Sequence, residues 1–201
     1  MTFAFDGSSI DGSSYTYVVG LAQDAPSWLD TLVRAWSTYG LAVFAVLMLV
    51  GWWQARHHSA RAAVIALMVP VIVVVAYGVN SVFKLLVRED RPCQSLRVRT
   101  LEACPAPGDW SFPSNHAVIA AAAAVALLLV SRRLGTVALV AACAMAAARV
   151  WVGAHYPHDV VAGVLVGTLI AWSLAAFLGR VSDPLAGRLT QSRLRPLLVS
   201  A

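Results

Sequence analysis

The sequence predicts an all-α integral membrane protein: a helical bundle of five transmembrane spans plus an N-terminal interfacial or partly inserted helix. Three observations carry this. Of 201 residues, 59% are hydrophobic and only 12% are charged, about half the charge of a soluble domain. The apolar residues come in long uncharged runs, each near the roughly 20 residues that cross a hydrocarbon core as helix. The basic residues gather beside those runs, as they do at membrane boundaries.

The elements follow in order. Residues 1–25 form a polar segment rich in Ser and Gly, with Asp6, Asp11 and Asp24. The first basic residue is Arg34, so no signal peptide with a basic start is read here. Residues 26–38 read as a short amphipathic helix at the interface, with Trp28 and Trp36 at headgroup depth, or as a shallow sixth element. The spans are expected at 36–53, 62–83, 117–131, 134–152 and 160–179. The third is short and borrows residues from its ends. Pro70 is a candidate kink in the second. The Ala-rich stretch 117–148 and the pair Gly163 and Gly167 let helices approach closely. Cys143 reads as packing within the fourth span. With no repeat and no long linker, 1–201 is one membrane domain.

The net charge of +5 does not point to nucleic acid, because it is distributed along the membrane boundaries. Arg56, His57, His58 and Arg61 lie between the first two spans; Arg132 and Arg133 lie between the third and fourth. The tail 180–201 carries Arg180, Arg188, Arg193 and Arg195. These fall on one side, which the positive-inside rule makes cytoplasmic. The loop 84–115 is then external, yet holds Lys84, Arg88, Arg91, Arg97 and Arg99. Glu89, Asp90, Glu102 and Asp109 balance part of that charge; an anion site explains the excess. Cys93 and Cys104 share this loop, where oxidation is permitted, and whether they pair is open.

Three clusters on that external side carry chemistry. Lys84 is the chain's only lysine among 15 Lys and Arg, and Arg91-Pro92 follows seven residues on. A guanidinium grips two phosphate oxygens at once. Pro113-Ser114-Asn115-His116 precedes the third span. Ser114 or Asn115 caps that helix, whose N-terminus favours an anion, and His116 is placed to give a proton to a leaving oxygen. Arg149 ends an uncharged run, where a buried cation costs roughly 2.5–3.5 kcal/mol at the centre and less near the boundary, so it is expected to face a polar cavity. His155 follows, Pro157 suits the first turn of the fifth span, and Asp159 is spaced to hold one ring nitrogen of His155. A histidine so oriented is an activated nucleophile. His158 reads as surface, and His57 and His58 lie on the other side. No metal-ligand spacing is evident; Glu89 and Asp90 are weak candidates for an accessory cation.

This pattern resembles the three-part signature of the type 2 phosphatidic acid phosphatase superfamily, whose members include membrane lipid phosphatases and vanadium haloperoxidases. Order and spacing match throughout 84–159. Asn115 stands where the signature commonly has Gly, and Ala148 where it commonly has Ser. Within the superfamily the chain is most similar to the short undecaprenyl-diphosphate phosphatases associated with bacitracin resistance.

The resemblance implies a bacterial plasma-membrane enzyme with an extracellular active site and a cytoplasmic C-terminus. His155 would attack the terminal phosphorus to form a phosphohistidine, held in the useful tautomer by Asp159. His116 would serve as acid, then as base. Lys84, Arg91, Ser114, Asn115 and Arg149 would bind phosphate, with no metal or other cofactor. The implied substrate is undecaprenyl diphosphate, converted to undecaprenyl phosphate. Alternatives are another lipid phosphate (phosphatidylglycerophosphate, phosphatidate or a decaprenyl-linked sugar phosphate), vanadate chemistry, or a non-enzymatic headgroup binder or flippase.

Overall fold

A computed structural model describes residues 4–199. Nine helices run in order among them: α1 (Ser8–Gln23), α2 (Ser27–Tyr39), α3 (Leu41–Ala55), α4 (Ala60–Val87), α5 (Pro92–Ser95), α6 (Asn115–Val130), α7 (Arg132–Trp151), α8 (Pro157–Thr190) and α9 (Arg195–Leu198). The one β feature among the described residues is an isolated parallel bridge, Phe5 to Glu89.

Helices α4, α7 and α8 are long and apolar enough to cross a membrane, and α2 with α3 adds a fourth if that bent pair counts as one span. Val74, Leu86, Val140 and Trp172 stand exposed on their outer faces, the surface a bilayer covers. Helix α6 has 16 residues, about 24 Å at the usual rise, and falls short of the same length test. It begins at Asn115, taking in two residues ahead of the expected span. Val118, Ala120 to Ala124, Ala126 and Leu127 are buried, because α6 packs against α3, α4, α7 and α8. A helix apolar on every side belongs in the middle of a bundle.

Several boundaries differ from expectation. The first span does not run straight from 36: the chain bends by 53° between α2 and α3, so 36–39 belong to α2. The polar N-terminal segment is not a bare tail. It forms α1, which leaves helical backbone angles at Asp11 (φ −146°, ψ 27°) and buries Tyr15, Val19 and Ala22. α4 continues through Pro70 to Val87, so Lys84 lies in its last turn rather than in a loop. α8 continues to Thr190, so the first residues of the basic tail are helical. Cys143 is exposed mid-helix rather than packed, since the Ala-rich face of α7 turns inward and Cys143 does not share it.

Side-chain contacts close one end of the bundle, and a close backbone approach joins two of its helices. At one end Arg61 donates to Ser182 (3.1 Å) and pairs with Asp183 (3.1 Å), while the Trp52 indole donates to the Leu197 carbonyl at 2.9 Å. The start of α4 and the C-terminal segment therefore meet there. Between α6 and α8, Gly163 and Gly167 let backbones touch. A Cβ at Gly163 would lie 2.7 Å from the Ser114 carbonyl oxygen, and one at Gly167 would press on the Val118 carbonyl and the Ala122 nitrogen. Gly167→Leu is expected to separate α6 from α8 and cost about 1–3 kcal/mol by overpacking. Thermal unfolding of the solubilised protein measures it.

Candidate active site

The end opposite the Arg61–Asp183 pair holds a cavity of about 280 Å³ lined by Lys84, Arg91, Asn115, His116, Arg149 and His155, with Glu102 and Asp109 from the 84–115 segment. Five elements build it: the last turn of α4, the segment between α4 and α6, the first turn of α6, the last turn of α7, and the turn between α7 and α8. That turn depends on Gly153, whose φ of +81° is costly for a residue with a side chain. A Cβ there would also collide with Thr100. The Tyr15 hydroxyl donates to the Gly153 carbonyl at 2.9 Å, so α1 braces the turn that presents His155.

His155 is 2% exposed. Its Nδ1 lies 3.3 Å from Asp159 Oδ2 and 3.3 Å from Ser111 Oγ, and its Nε2 lies 3.2 Å from Arg91 Nη1. Arg91 can only donate, so Nε2 carries the lone pair and Nδ1 the proton. Asp159 Oδ2 also accepts from the Ser111 hydroxyl and from the Tyr156 backbone N–H at 2.9 Å. Burial, reinforced by the charges of Arg91, Arg149 and Lys84, holds the His155 pKa well below the ordinary imidazole value. The ring is neutral, with its lone pair on the cavity side.

The cations are held rather than free. Arg91 donates Nε to the Asp109 carbonyl (3.0 Å), Nη1 to the Ala154 carbonyl (3.0 Å), and Nη2 to the Asp109 carboxylate (3.0 Å). Lys84 Nζ donates to the Trp110 carbonyl and to the Ser111 carbonyl at 3.2 Å. Arg149 is 4% exposed; its Nη1 donates to Ser37 and lies 3.0 Å from Glu102 Oε2. Its buried Nε has no partner. Arg91 and Arg149 thus each face a carboxylate of the segment between α4 and α6.

The sequence-predicted residues do not all arrive together. Lys84, Arg91, Asn115, His116, Arg149 and His155 line the cavity, and Asp159 stands behind His155. Ser114 is buried below the cavity with its hydroxyl unpaired. It is the residue before α6 but makes no side-chain cap; its backbone N–H donates to the Asp159 carbonyl at 3.0 Å. Of the five basic residues singled out in 84–115, only Lys84 and Arg91 line the cavity. Arg88 turns back to the Leu85 carbonyl at 2.9 Å, and Arg99 lines a separate surface hollow with Gln23, Asp24 and Asp30. A disulfide joins Cys93 to Cys104 and closes a loop that includes Glu102, with Asp109 beyond it.

Three participants escaped the sequence reading. Ser111 shares the Asp159–His155 contact. Asn80, fully buried in α4, donates its amide to the Pro113 carbonyl (3.2 Å) and to Asn115 Oδ1 (2.7 Å). The Pro113 carbonyl can only accept, which fixes the Asn80 orientation and commits Asn115 Oδ1. The Asn115 amide NH2 is then the group left for the cavity. A polar residue within an apolar run was the available signal. His158 is not a surface residue as expected: it is 17% exposed and in contact with carboxylates on both ring nitrogens. Glu89, His158 and Asp159 offer donor atoms within 4.8 Å of one another, the one such group among the described residues. Glu89 is buried and bonded to His158, outside the cavity.

The family model of the PAP2 superfamily matches residues 65–182. The chain belongs to the PAP2 superfamily. It is 28% identical over 155 residues to the undecaprenyl-diphosphatase BcrC of Bacillus subtilis (strain 168), covering 75% of this chain and 76% of that one. It is 34% identical over 122 residues to the decaprenylphosphoryl-5-phosphoribose phosphatase of Mycobacterium tuberculosis, covering 60% and 61%. Among solved structures it resembles the PAP2 type phosphatidylglycerolphosphate phosphatase from Bacillus subtilis, with a TM-score of 0.57 and 17% identity over 85% of this chain and 87% of that one; this likeness speaks to fold alone. The protein is therefore a multi-pass membrane lipid phosphatase of the PAP2 class.

Asn80→Ala leaves the Pro113 carbonyl and Asn115 without a buried partner and is expected to destabilise by about 1–3 kcal/mol, read by thermal unfolding. His155 gives a pH signature. Unfolded, it takes a proton near pH 6.5; folded, it does so only well below that. Below about 6.5 the unfolded state binds the extra proton, so stability falls as pH drops from there toward the folded value. His155→Gln is expected to flatten that slope in melting temperature between about pH 6.5 and 5.

Proposed function

We propose that this protein removes the terminal phosphate from a polyprenyl diphosphate, undecaprenyl diphosphate yielding undecaprenyl phosphate, through a phosphohistidine on His155. The observation that carries the reading is the His155 ring itself: neutral, with Nδ1 toward Asp159 and its Nε2 lone pair beside Arg91 at the wall of a cation-lined cavity. The similarity to undecaprenyl-diphosphatases supports the choice of headgroup.

In the first step Nε2 of His155 bonds to the terminal phosphorus as the bridging P–O bond breaks. His116 gives its proton to the departing oxygen of undecaprenyl phosphate. Arg91, Arg149, Lys84 and the Asn115 amide take up the charge that spreads over the equatorial oxygens; Glu102 and Asp109 yield their places to the phosphate. In the second step His116 takes a proton from water, the resulting hydroxide bonds to phosphorus, and the P–N bond breaks. His155 returns to its starting tautomer and phosphate leaves. Asp159 holds Nδ1–H throughout, and Ser111 holds Asp159.

The topology proposed with this chemistry has five spans: the bent α2–α3 pair, α4, α6, α7 and α8. α6 crosses because its neighbours enclose it, although it is short. The end with Arg56, Arg61, Arg132 and Arg133 is cytoplasmic by the positive-inside rule. The cavity then opens at the outer face, where the Cys93–Cys104 disulfide suits an oxidising compartment.

Phosphate release from a panel of lipid diphosphates and monophosphates is the test, with phosphatidylglycerophosphate, phosphatidate and a decaprenyl-linked sugar phosphate included. Preference for the prenyl diphosphate is the expected result; a clear preference for a monophosphate lipid would reassign the substrate. His155→Ala is expected to abolish release, by at least about 10³-fold, and to prevent trapping of label on the protein from a terminally labelled substrate. Activity is expected to survive chelation.

A further inference from the structure

We propose that His158 is a positioning residue for this reaction: it clamps Asp11 of α1, Glu89 and the second oxygen of Asp159 together, and so ties the N-terminal helix to the carboxylate that orients His155. The inference rests on the proposed role of His155 and extends it to groups outside the cavity.

The geometry is specific. His158 Nδ1 lies 2.8 Å from Asp11 Oδ1, and the His158 backbone N–H donates to Asp11 Oδ2 at 2.7 Å. One carboxylate therefore grips both the ring and the first turn of α8, where an anion is favoured. Nε2 lies 3.0 Å from Glu89 Oε1 and 3.5 Å from Asp159 Oδ1. The ring stacks on Tyr156 (5.3 Å, 17°) and has Phe112 6.0 Å away, so it cannot turn out of plane. A neutral imidazole has one N–H; its other nitrogen would present a lone pair to a carboxylate. With a carboxylate on each nitrogen, the doubly protonated ring is the form that satisfies both.

The charges facing the ring come from every neighbouring element: Asp11 from α1, Glu89 from the segment after α4, and Asp159 from α8 itself. Glu89 and Asp159 are both buried. Asp159 Oδ2 is taken by Ser111, Tyr156 and His155, while Oδ1 has no hydrogen-bond partner. Two buried carboxylates beside each other cannot both stay ionised without a cation, and His158 is the cation between them. If it were lost, one carboxylate would take a proton. A protonated Asp159 would bind the His155 Nδ1–H weakly, and the nucleophile would lose its orientation.

The N-terminal segment seals this cluster. Phe5 bridges to Glu89, its N–H donating to the Arg88 carbonyl (3.0 Å) and its carbonyl accepting from Asp90 (2.9 Å). Gly7 lies against the Glu89 carboxylate, with no room for a side chain. The backbone break in α1 falls at Asp11, the residue that reaches His158.

The experiment uses the full chain in detergent, with undecaprenyl diphosphate or whichever lipid phosphate the wild type cleaves. kcat and KM are followed against pH for wild type, His158→Gln, Asp11→Asn, Glu89→Gln and the double variant Glu89→Gln/His158→Gln. His158→Gln is expected to lower kcat on the order of tenfold or more with KM changed less than about twofold. The acid limb of kcat/KM is expected to move to higher pH, because Asp159 then protonates more easily. Removing the Glu89 charge in the double variant relieves the repulsion and is expected to recover part of the lost kcat. A fall in folded yield with no pH shift and no recovery in the double variant would mean a structural role only and overturn the proposal. Stoichiometric metal in the wild type, lost in His158→Gln, would overturn it in favour of a metal site. Ring 15N shifts of His158 at neutral pH are expected to show both nitrogens protonated, whatever the substrate; a singly protonated ring would refute the clamp. A wild type inactive on every lipid phosphate, with the ring doubly protonated, would instead remove the proposed function.

Discussion

Helices α6 and α8 meet backbone to backbone, and the cavity exists because they do. Gly163 and Gly167 leave no side chain between them and the Ser114 and Val118 carbonyls. That closeness lets the Ser114 N–H reach the Asp159 carbonyl at 3.0 Å. The second and third signature clusters are thereby joined at main-chain level, which holds position better than side chains would. Asp159 is then close enough to Ser111 to share one oxygen with it and His155. The Ala-rich surface of α6 extends the same economy of volume to α4 and α7, so Lys84 and Arg149 also come near. In a membrane, where apolar side chains gain little by leaving lipid, such close contact is what association rests on.

Charge is the second organising constraint. Three cations face a small cavity with low-dielectric walls, an arrangement costly to leave uncompensated. The segment between α4 and α6 supplies the compensation through Asp109 at Arg91 and Glu102 at Arg149, and loop carbonyls do the same for Lys84. These partners keep the cations in place. The Cys93–Cys104 link limits how far that segment can move.

Much of this was legible in the sequence. Uncharged apolar runs announced the helical membrane class, because each backbone group in lipid must be paired within a helix. Lys84 with Arg91, His116, and Arg149 with His155 and Asp159 announced the cavity, because such side chains are too costly at membrane depth without a purpose. Gly163 and Gly167 were read as a close-packing pair, and they are one. The errors have physical reasons as well. The bend at Gly40 falls inside an uncharged run that continues from Ala35 to Gln54, where composition carries no mark of direction. α1 is rich in Ser and Gly and has little helical preference of its own; packing of Tyr15 and Val19 against Tyr156 and Val150 supports it.

By itself, then, the sequence determined the helical membrane class, the order of its apolar helices and the set of charged side chains that line the cavity. Those depend on local chemistry and on spacing along one helix. Tertiary structure alone decided which partner each of them has. Asn80 finds Asn115 across two helices, Asp11 finds His158 across 147 positions, and Ser111 joins Asp159 from a loop. His158 lost its reading as a surface residue for the same reason. A helical period says which face a side chain occupies, but what lies opposite that face is set by how the helices pack, and only the packed bundle contains that information.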